Sequence, residues 1–304
     1  MSEVRRREDE EETIEGIEVH HRQVLVNGVS LHIVEAGAGP LVVLLHGFPE
    51  NWNAWRRQIP FLVKSGFRVV TPDLRGYNRS DKPLGVSAYR LDILSTDISK
   101  LIFALGEKTA TLVGHDWGGV IAWSVAFTYP EQITQLVVIN APHPERYIEL
   151  LWRTRQFFKS WYVFFFQWPW LPEKIIGWNR FNRVRNVLMK DTLLPNTFDS
   201  EHIEAYISAL SMPGALTAAI NYYRAGFLYG FSLIRRMPRV NDCPTLILWG
   251  EKDRYLDIRL LDGLNTKVPH LWVERYPDAT HWLIAEHPDR VNHAILKFLE
   301  NTNE

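Results

Sequence analysis

The sequence predicts an α/β fold: a mostly parallel central sheet of about eight strands, with helices on both faces and one long helical insertion. Three observations predict it. Short apolar runs alternate with helix-period patterns from about residue 17 to residue 140. The alternation stops over residues 142–239, where aromatic-rich helical pieces are broken by Pro169, Pro172, Pro195 and Pro213. It resumes at Thr245 and runs to a C-terminal helix. A chain of 304 residues could hold two domains, but the two strand-bearing halves read as one sheet with an excursion between them. The expected division is a charged tail at 1–16, a core made of 17–141 and 240–304, and the helical insertion at 142–239.

The sheet begins antiparallel. Residues 18–26 and 30–36 flank Asn27-Gly28, a pair that accepts the positive φ of a tight hairpin turn. The next four runs, 41–45, 67–71, 110–113 and 135–139, are largely apolar, as strands are when helices cover both faces. Between them, helices are expected at 53–65, 90–105 and 118–129, the second with Leu91, Leu94, Ile98, Leu101 and Ile102 at helical spacing. After the insertion, strands at 245–249 and 271–276 precede a final helix at 287–300. No internal repeat is visible, and no low-complexity tract is longer than the charged tail.

With 46% apolar and 23% charged residues the chain is of ordinary globular composition, which excludes disorder, collagen and coiled coil as its main architecture. Its 34 Lys and Arg against 35 Asp and Glu leave a net charge of −1, no overall field to hold nucleic acid or an anionic membrane. The single cysteine, Cys243, permits no intrachain disulfide and no thiolate zinc site, and it suits a reducing cytoplasm. Residues 1–16 lack the apolar run of a secretory signal, and the most apolar stretch, 161–171, is well short of the roughly 20 residues that span a bilayer. Of 12 tryptophans, Trp152, Trp161, Trp168, Trp170 and Trp178 fall in the insertion, where they are expected to shape an apolar pocket.

Chemistry concentrates in one run. Thr111-Leu112-Val113-Gly114-His115-Asp116-Trp117-Gly118-Gly119 reads as strand, glycine-flanked turn and helix, with a carboxylate at the tip. A G-x-nucleophile-x-G turn thrusts its central side chain outward, and only glycine tolerates the close packing beside it. No G-x-S-x-G occurs, so serine acyl transfer is excluded; a carboxylate can instead displace a leaving group at saturated carbon, forming an alkyl ester. The competing reading of Asp116 is a plain helix N-cap. Cleaving such an ester takes an activated water, hence a histidine and an acid that orients it. Asp253 lies just beyond the strand ending at Trp249, with Asp257 and Glu251 as alternatives, and His281 lies beyond the last strand. The other acid position, after the strand at 135–139, holds the uncharged Asn140. At His46-Gly47-Phe48-Pro49-Glu50 a strand ends in a glycine turn that frees backbone N–H groups; those of Phe48 and Trp117 are expected to bind an oxyanion. Asp73 and Arg75 read as structural ion-pair residues, and His115 as a neighbour turned away from the site.

At these residues the chain resembles the α/β-hydrolase superfamily and, within it, the epoxide hydrolase branch, from about Ile17 to the C-terminus. The likeness rests on H-G-F-P-E at 46–50, D-L-R-G-Y at 73–77 and G-H-D-W-G-G at 114–119. The resemblance implies an α/β-hydrolase fold whose insertion is a helical cap, with Asp116 opening an epoxide ring and His281 with Asp253 activating water. It also implies two cap tyrosines that hydrogen-bond and protonate the epoxide oxygen. Tyr162 resembles the first and Tyr223 the second, while Tyr222, Tyr147 and Tyr206 are available nearby.

The expected activity is conversion of a small apolar epoxide and water to a vicinal diol, with no cofactor and no metal. The expected setting is a cytoplasmic monomer or homodimer with no nucleic-acid partner and no membrane span. Two alternatives use the same fold. One is a haloalkane or haloacid dehalogenase, in which the Trp117 indole would hold halide. The other is a ligand-binding protein that keeps the triad without turnover.

Overall fold

The computed structural model describes residues 10–153, 155–235 and 241–301. Its single sheet has nine strands: β1 (Glu10–Ile14), β2 (Ile17–Val26), β3 (Val29–Ala36), β4 (Leu41–Leu45), β5 (Arg68–Pro72), β6 (Ala110–His115), β7 (Ile133–Ile139), β8 (Thr245–Gly250) and β9 (Leu271–Tyr276). Their order is β1-β2-β3-β5-β4-β6-β7-β8-β9. The pairs from β1 to β5 at one edge are antiparallel, and all pairs from β5 to β9 are parallel. At the β2–β3 hairpin, Asn27 and Gly28 both have positive φ, 48° and 77°.

The ninth strand corrects the reading of 1–16 as a solvated tail. Residues 10–14 pair with β2 through backbone bonds, Glu12 opposite Val19, and Ile14 is buried. Edge pairing needs only backbone groups, so glutamates that read as solvent-facing by composition can still carry a strand. Residues 1–9 of that expected tail lie outside the described residues.

Helices α1 (Gln58–Lys64), α2 (Leu91–Ala104) and α3 (Trp117–Thr128) connect strands. The insertion holds α4 (Pro144–Leu151), α5 (Gln156–Lys159), α6 (Trp161–Phe165), α7 (Leu171–Lys190, broken by non-helical backbone at 178–181), α8 (Ser200–Ser211) and α9 (Ala215–Ile234), and no strand among its described residues. Helices α10 (Leu283–Glu286) and α11 (Pro288–Asn301) end the fold. The helix expected at 53–65 is divided into a 3-10 turn, Trp52–Trp55, and α1. Pro60 has no N–H to donate, so it is tolerated only in the first turn of a helix.

Strand order positions the site. The chain leaves β4 outward to β5, then crosses back past β4 to β6, so the loops at the carboxyl ends of β4 and β6 diverge around a crevice. Every residue of β4 and β6 is buried, and each large side chain so removed from water stabilises the sheet by about 1.5–3 kcal/mol. The parallel register sets Leu45 beside Gly114, which brings the turn after β4 against the turn after β6.

Candidate active site

Asp116 joins β6 to α3 with φ 50° and ψ −121°, backbone strain of about 1–3 kcal/mol that only the surrounding packing can impose. Its side chain makes no capping bond to α3, which rules out the plain N-cap reading. Oδ1 instead accepts the Phe48 N–H at 2.9 Å, and Oδ2 stands 3.5 Å from His281 Nε2. Two glycines permit this approach. A Cβ on Gly118 would sit 2.1 Å from the Leu45 carbonyl oxygen, and one on Gly47 would sit 2.3 Å from the Asp116 Cβ. The Trp117 N–H is the first of α3, where no carbonyl of the helix itself can accept it.

His281 Nδ1 meets Asp253 Oδ2 at 2.7 Å, and Asp253 Oδ1 accepts the N–H groups of Tyr255 and Leu256 at 2.7 and 2.9 Å. Asn140, passed over as an acid, donates from Nδ2 to the same Asp253 Oδ2 at 2.8 Å and accepts the Gly250 N–H at 3.0 Å. The alternative acids go elsewhere: Asp257 to Arg259, and Glu251 to Arg275. Burial opposes charge on all three members of the site, yet their mutual attraction outweighs it. Asp116 is pushed up by burial but held below the usual carboxylate range by His281, and Asp253 likewise, with help from its two backbone N–H donors. His281, pulled down by burial, is raised to about 10 by Asp253 and Asp116. The resting site is therefore an imidazolium between two carboxylates.

His115 does not line the site, but it supports it. Fully buried, it contacts Glu50 Oε2 through Nδ1 and the His281 carbonyl oxygen through Nε2, each at 2.9 Å. Glu50 also accepts the Gly47 N–H at 3.2 Å, so one chain of bonds ties the turn after β4 to the loop that carries His281. Glu50 closes the H-G-F-P-E run, but its supporting role is not legible there, because its partner His115 is 65 residues away. Arg75 is ion-paired with Asp97 on α2, whereas Asp73 makes a hydrogen bond of 2.6 Å with His32 Nδ1 on β3.

Tyr162 on α6 and Tyr223 on α9, ring centroids 5.6 Å apart, line a cavity of about 980 Å³ together with Asp116, His281 and Phe48. A second cavity of about 300 Å³, largely apolar in its lining, shares Asp116, Tyr162 and Tyr223 with the first. Burial, followed by the nearby Asp116 carboxylate, pushes the Tyr223 hydroxyl well above its ordinary value. Burial, then Tyr147 and Asp116, do the same for Tyr162, so both are neutral O–H donors. The neighbouring Tyr222 is committed to the Arg75 carbonyl at 2.6 Å. Tyr147 bonds to Ser160 at 2.8 Å, and Tyr206 lines neither cavity. The tryptophans of the insertion depart from expectation: Trp161 borders the larger cavity and Trp152 the smaller, while Trp168, Trp170 and Trp178 border neither and face solvent.

Residues 40–288 match the family model of the alpha/beta hydrolase fold. The chain is 41% identical over 283 residues to AB hydrolase superfamily protein YfhM of Bacillus subtilis, covering 91% of this chain and 97% of that relative. It is 39% identical over 287 residues to epoxide hydrolase 4 of Homo sapiens, covering 90% of this chain and 76% of the relative. Among solved structures, an epoxide hydrolase of Bacillus megaterium in complex with an inhibitor matches with a TM-score of 0.84 at 33% identity, covering 92% of this chain and 100% of the other. Epoxide hydrolase VrEH1 of Vigna radiata also matches with a TM-score of 0.84, at 29% identity, covering 93% and 98%. On the sheet topology, the strained carboxylate turn and these likenesses together, the chain belongs to the α/β-hydrolase family and, within it, to the epoxide hydrolases.

Proposed function

We propose that this chain hydrolyses an apolar epoxide to a vicinal diol through a covalent ester on Asp116, with the segment 142–239 as a cap over the site. The observation that carries the proposal is an ionised, partly buried carboxylate facing two neutral phenols across one cavity. Ring opening creates an alkoxide, a poor leaving group unless its charge is shared and protonated. Asp116 Oδ2 attacks one ring carbon while Tyr162 and Tyr223 hydrogen-bond the ring oxygen. As the carbon–oxygen bond breaks, one phenol passes its proton to that oxygen, and a hydroxyalkyl ester remains on Asp116.

Hydrolysis then needs a base, which an imidazolium cannot be. Esterification removes the Asp116 charge, one of the two anions that hold the His281 proton. That proton passes through water in the cavity to the phenolate left by ring opening, and neutral His281, oriented by Asp253, then takes a proton from the attacking water. The hydroxide attacks Cγ. Oδ1 is now the ester carbonyl oxygen, already bonded to the Phe48 N–H, so that amide together with the Trp117 N–H binds the oxyanion. Collapse expels the diol's alkoxide, which takes the proton His281 now holds, and the acid left on Asp116 passes its own proton to His281, restoring carboxylate and imidazolium.

Diol formation from styrene-type and aliphatic epoxides tests the class. Wild type should turn over and Asp116→Ala should not. A single turnover in oxygen-18 water should give diol whose new oxygen comes from Asp116; complete labelling of the first diol would refute the ester route. Halide release from haloalkanes without diol would mean dehalogenation. Against that alternative, the Trp117 indole packs edge-on against Tyr223, ring centroids 5.1 Å apart. A cytoplasmic setting is part of the same proposal, on the one buried cysteine, Cys243.

A further inference from the structure

One exposed segment of the insertion has the chemistry of a membrane interface. The segment 152–190 contains eight Lys and Arg against one acidic residue, Glu173, in a chain whose total charge is −1. The near-neutral sum, which argued against an anionic surface as partner, conceals this concentration. Glu173 is itself paired with Arg224. Arg153, Arg155, Lys174, Arg180, Arg183 and Lys190 are exposed, and of the eight cations only Arg185 meets a carboxylate among the described residues, that of Glu204.

Large exposed aromatic rings fall in the same segment as these cations. Trp152, Phe158, Trp161, Trp168 and Trp170 are each 62–74% exposed. Neighbouring rings connect several of them: Trp152 touches Phe157 at 5.3 Å between centroids, Phe157 touches Phe158 at 5.6 Å, and Trp161 touches Phe165 at 6.2 Å. The Lys174 ammonium lies 4.8 Å over Trp170. Such a gathering is rare on a surface that faces only water, and tryptophan beside Lys and Arg is the makeup of interfacial anchors.

We propose that this basic, aromatic face docks on an anionic phospholipid bilayer. Its cations meet headgroup phosphates and its indole rings lie at the boundary with the acyl chains. Docking would be peripheral, because no single helix among the described residues is long and apolar enough to cross a membrane. Phe158, Trp161, Arg155 and Arg183 also line the larger cavity, so the same face borders the way in to Asp116. Given the epoxide reading above, an apolar substrate dissolved in the bilayer passes to the site without crossing bulk water.

Co-sedimentation of the full chain with lipid vesicles reads binding without reference to catalysis, so its result stands apart from the epoxide reading. Vesicles of phosphatidylcholine with about one-third phosphatidylserine should bind the protein, pure phosphatidylcholine should not, and about 0.5 M salt should release it. Partitioning should weaken at least about tenfold in Phe158→Ser/Trp168→Ser/Trp170→Ser, and separately in Arg153→Gln/Arg180→Gln/Lys190→Gln, with melting temperatures unchanged. Absence of binding to the anionic vesicles, or binding that both variants leave intact, overturns the proposal. A dimer that the aromatic variant dissociates, with no vesicle binding, also overturns it, since a second copy would then cover the face.

Discussion

His281 carries a proton because two carboxylates flank it, and that arrangement gives a residue-level prediction. In Asp116→Asn one anion is gone while the shape is kept, so the His281 pKa should fall from about 10 by at least roughly one unit. NMR titration of the imidazole reads this, and an unchanged value would mean that Asp253 alone holds the proton. The two phenols give a second prediction. Tyr162→Phe and Tyr223→Phe should each lower kcat/KM for diol formation by about a hundredfold, through slower ester formation rather than slower ester cleavage. Rapid-quench measurement of the ester separates the two steps; build-up of ester in either variant would put the tyrosine in the wrong half of the reaction.

At the scale of elements, buried ion pairs join parts of the core that sequence separates. Arg75, after β5, grips Asp97 on α2 with two bonds of 2.6 and 2.7 Å, and both side chains are almost fully buried. Arg75→Ala leaves the carboxylate without its cation and should cost about 3–5 kcal/mol in urea unfolding. A loss below about 1 kcal/mol would mean that water replaces the guanidinium. The elements themselves were legible to differing degrees. Strands β4, β6, β7 and β8 are largely apolar runs, so pattern alone finds them. β1 was missed because its glutamates resemble a solvated tail, and α1 starts late because Pro60 overrides the apolar period around it.

For the whole molecule, the charged site sets a pH dependence of stability whose sign can be worked out. The folded pKa of His281, about 10, lies above its ordinary 6.5, so its contribution is complete below pH 6.5 and disappears as pH rises through about 10. Asp253 is held below its ordinary 3.8, so its contribution is present above that value and is lost as pH falls through the lowered one. His143, buried and held down to about 3, adds an acid-side loss that begins below pH 6.5. Denaturant unfolding across pH should show a decline on both sides. The alkaline decline should shift to lower pH in Asp116→Asn; an alkaline limb unmoved by that change would contradict the assignment to His281.

By itself the sequence determined the alternating sheet, the Asn27-Gly28 hairpin, the strained turn at Asp116, and the placing of Asp253 and His281 just beyond later strands. Those are local properties: periodicity, glycine tolerance and the position of a residue at a strand end are all written within a few neighbours. Tertiary structure decided the rest. Tyr222 and Tyr223 are adjacent in α9 and equivalent by composition, yet successive helical positions point about 100° apart, so one bonds to Arg75 and the other faces Asp116. Asn140 on Asp253, and Glu50 on His115, depend on partners 113 and 65 residues distant, which strand order alone brings together. The tryptophans of the insertion were expected to enclose a pocket, but which side of a helix meets the core depends on what packs beside it. Only the folded chain turns most of them outward, in a segment of exposed cations.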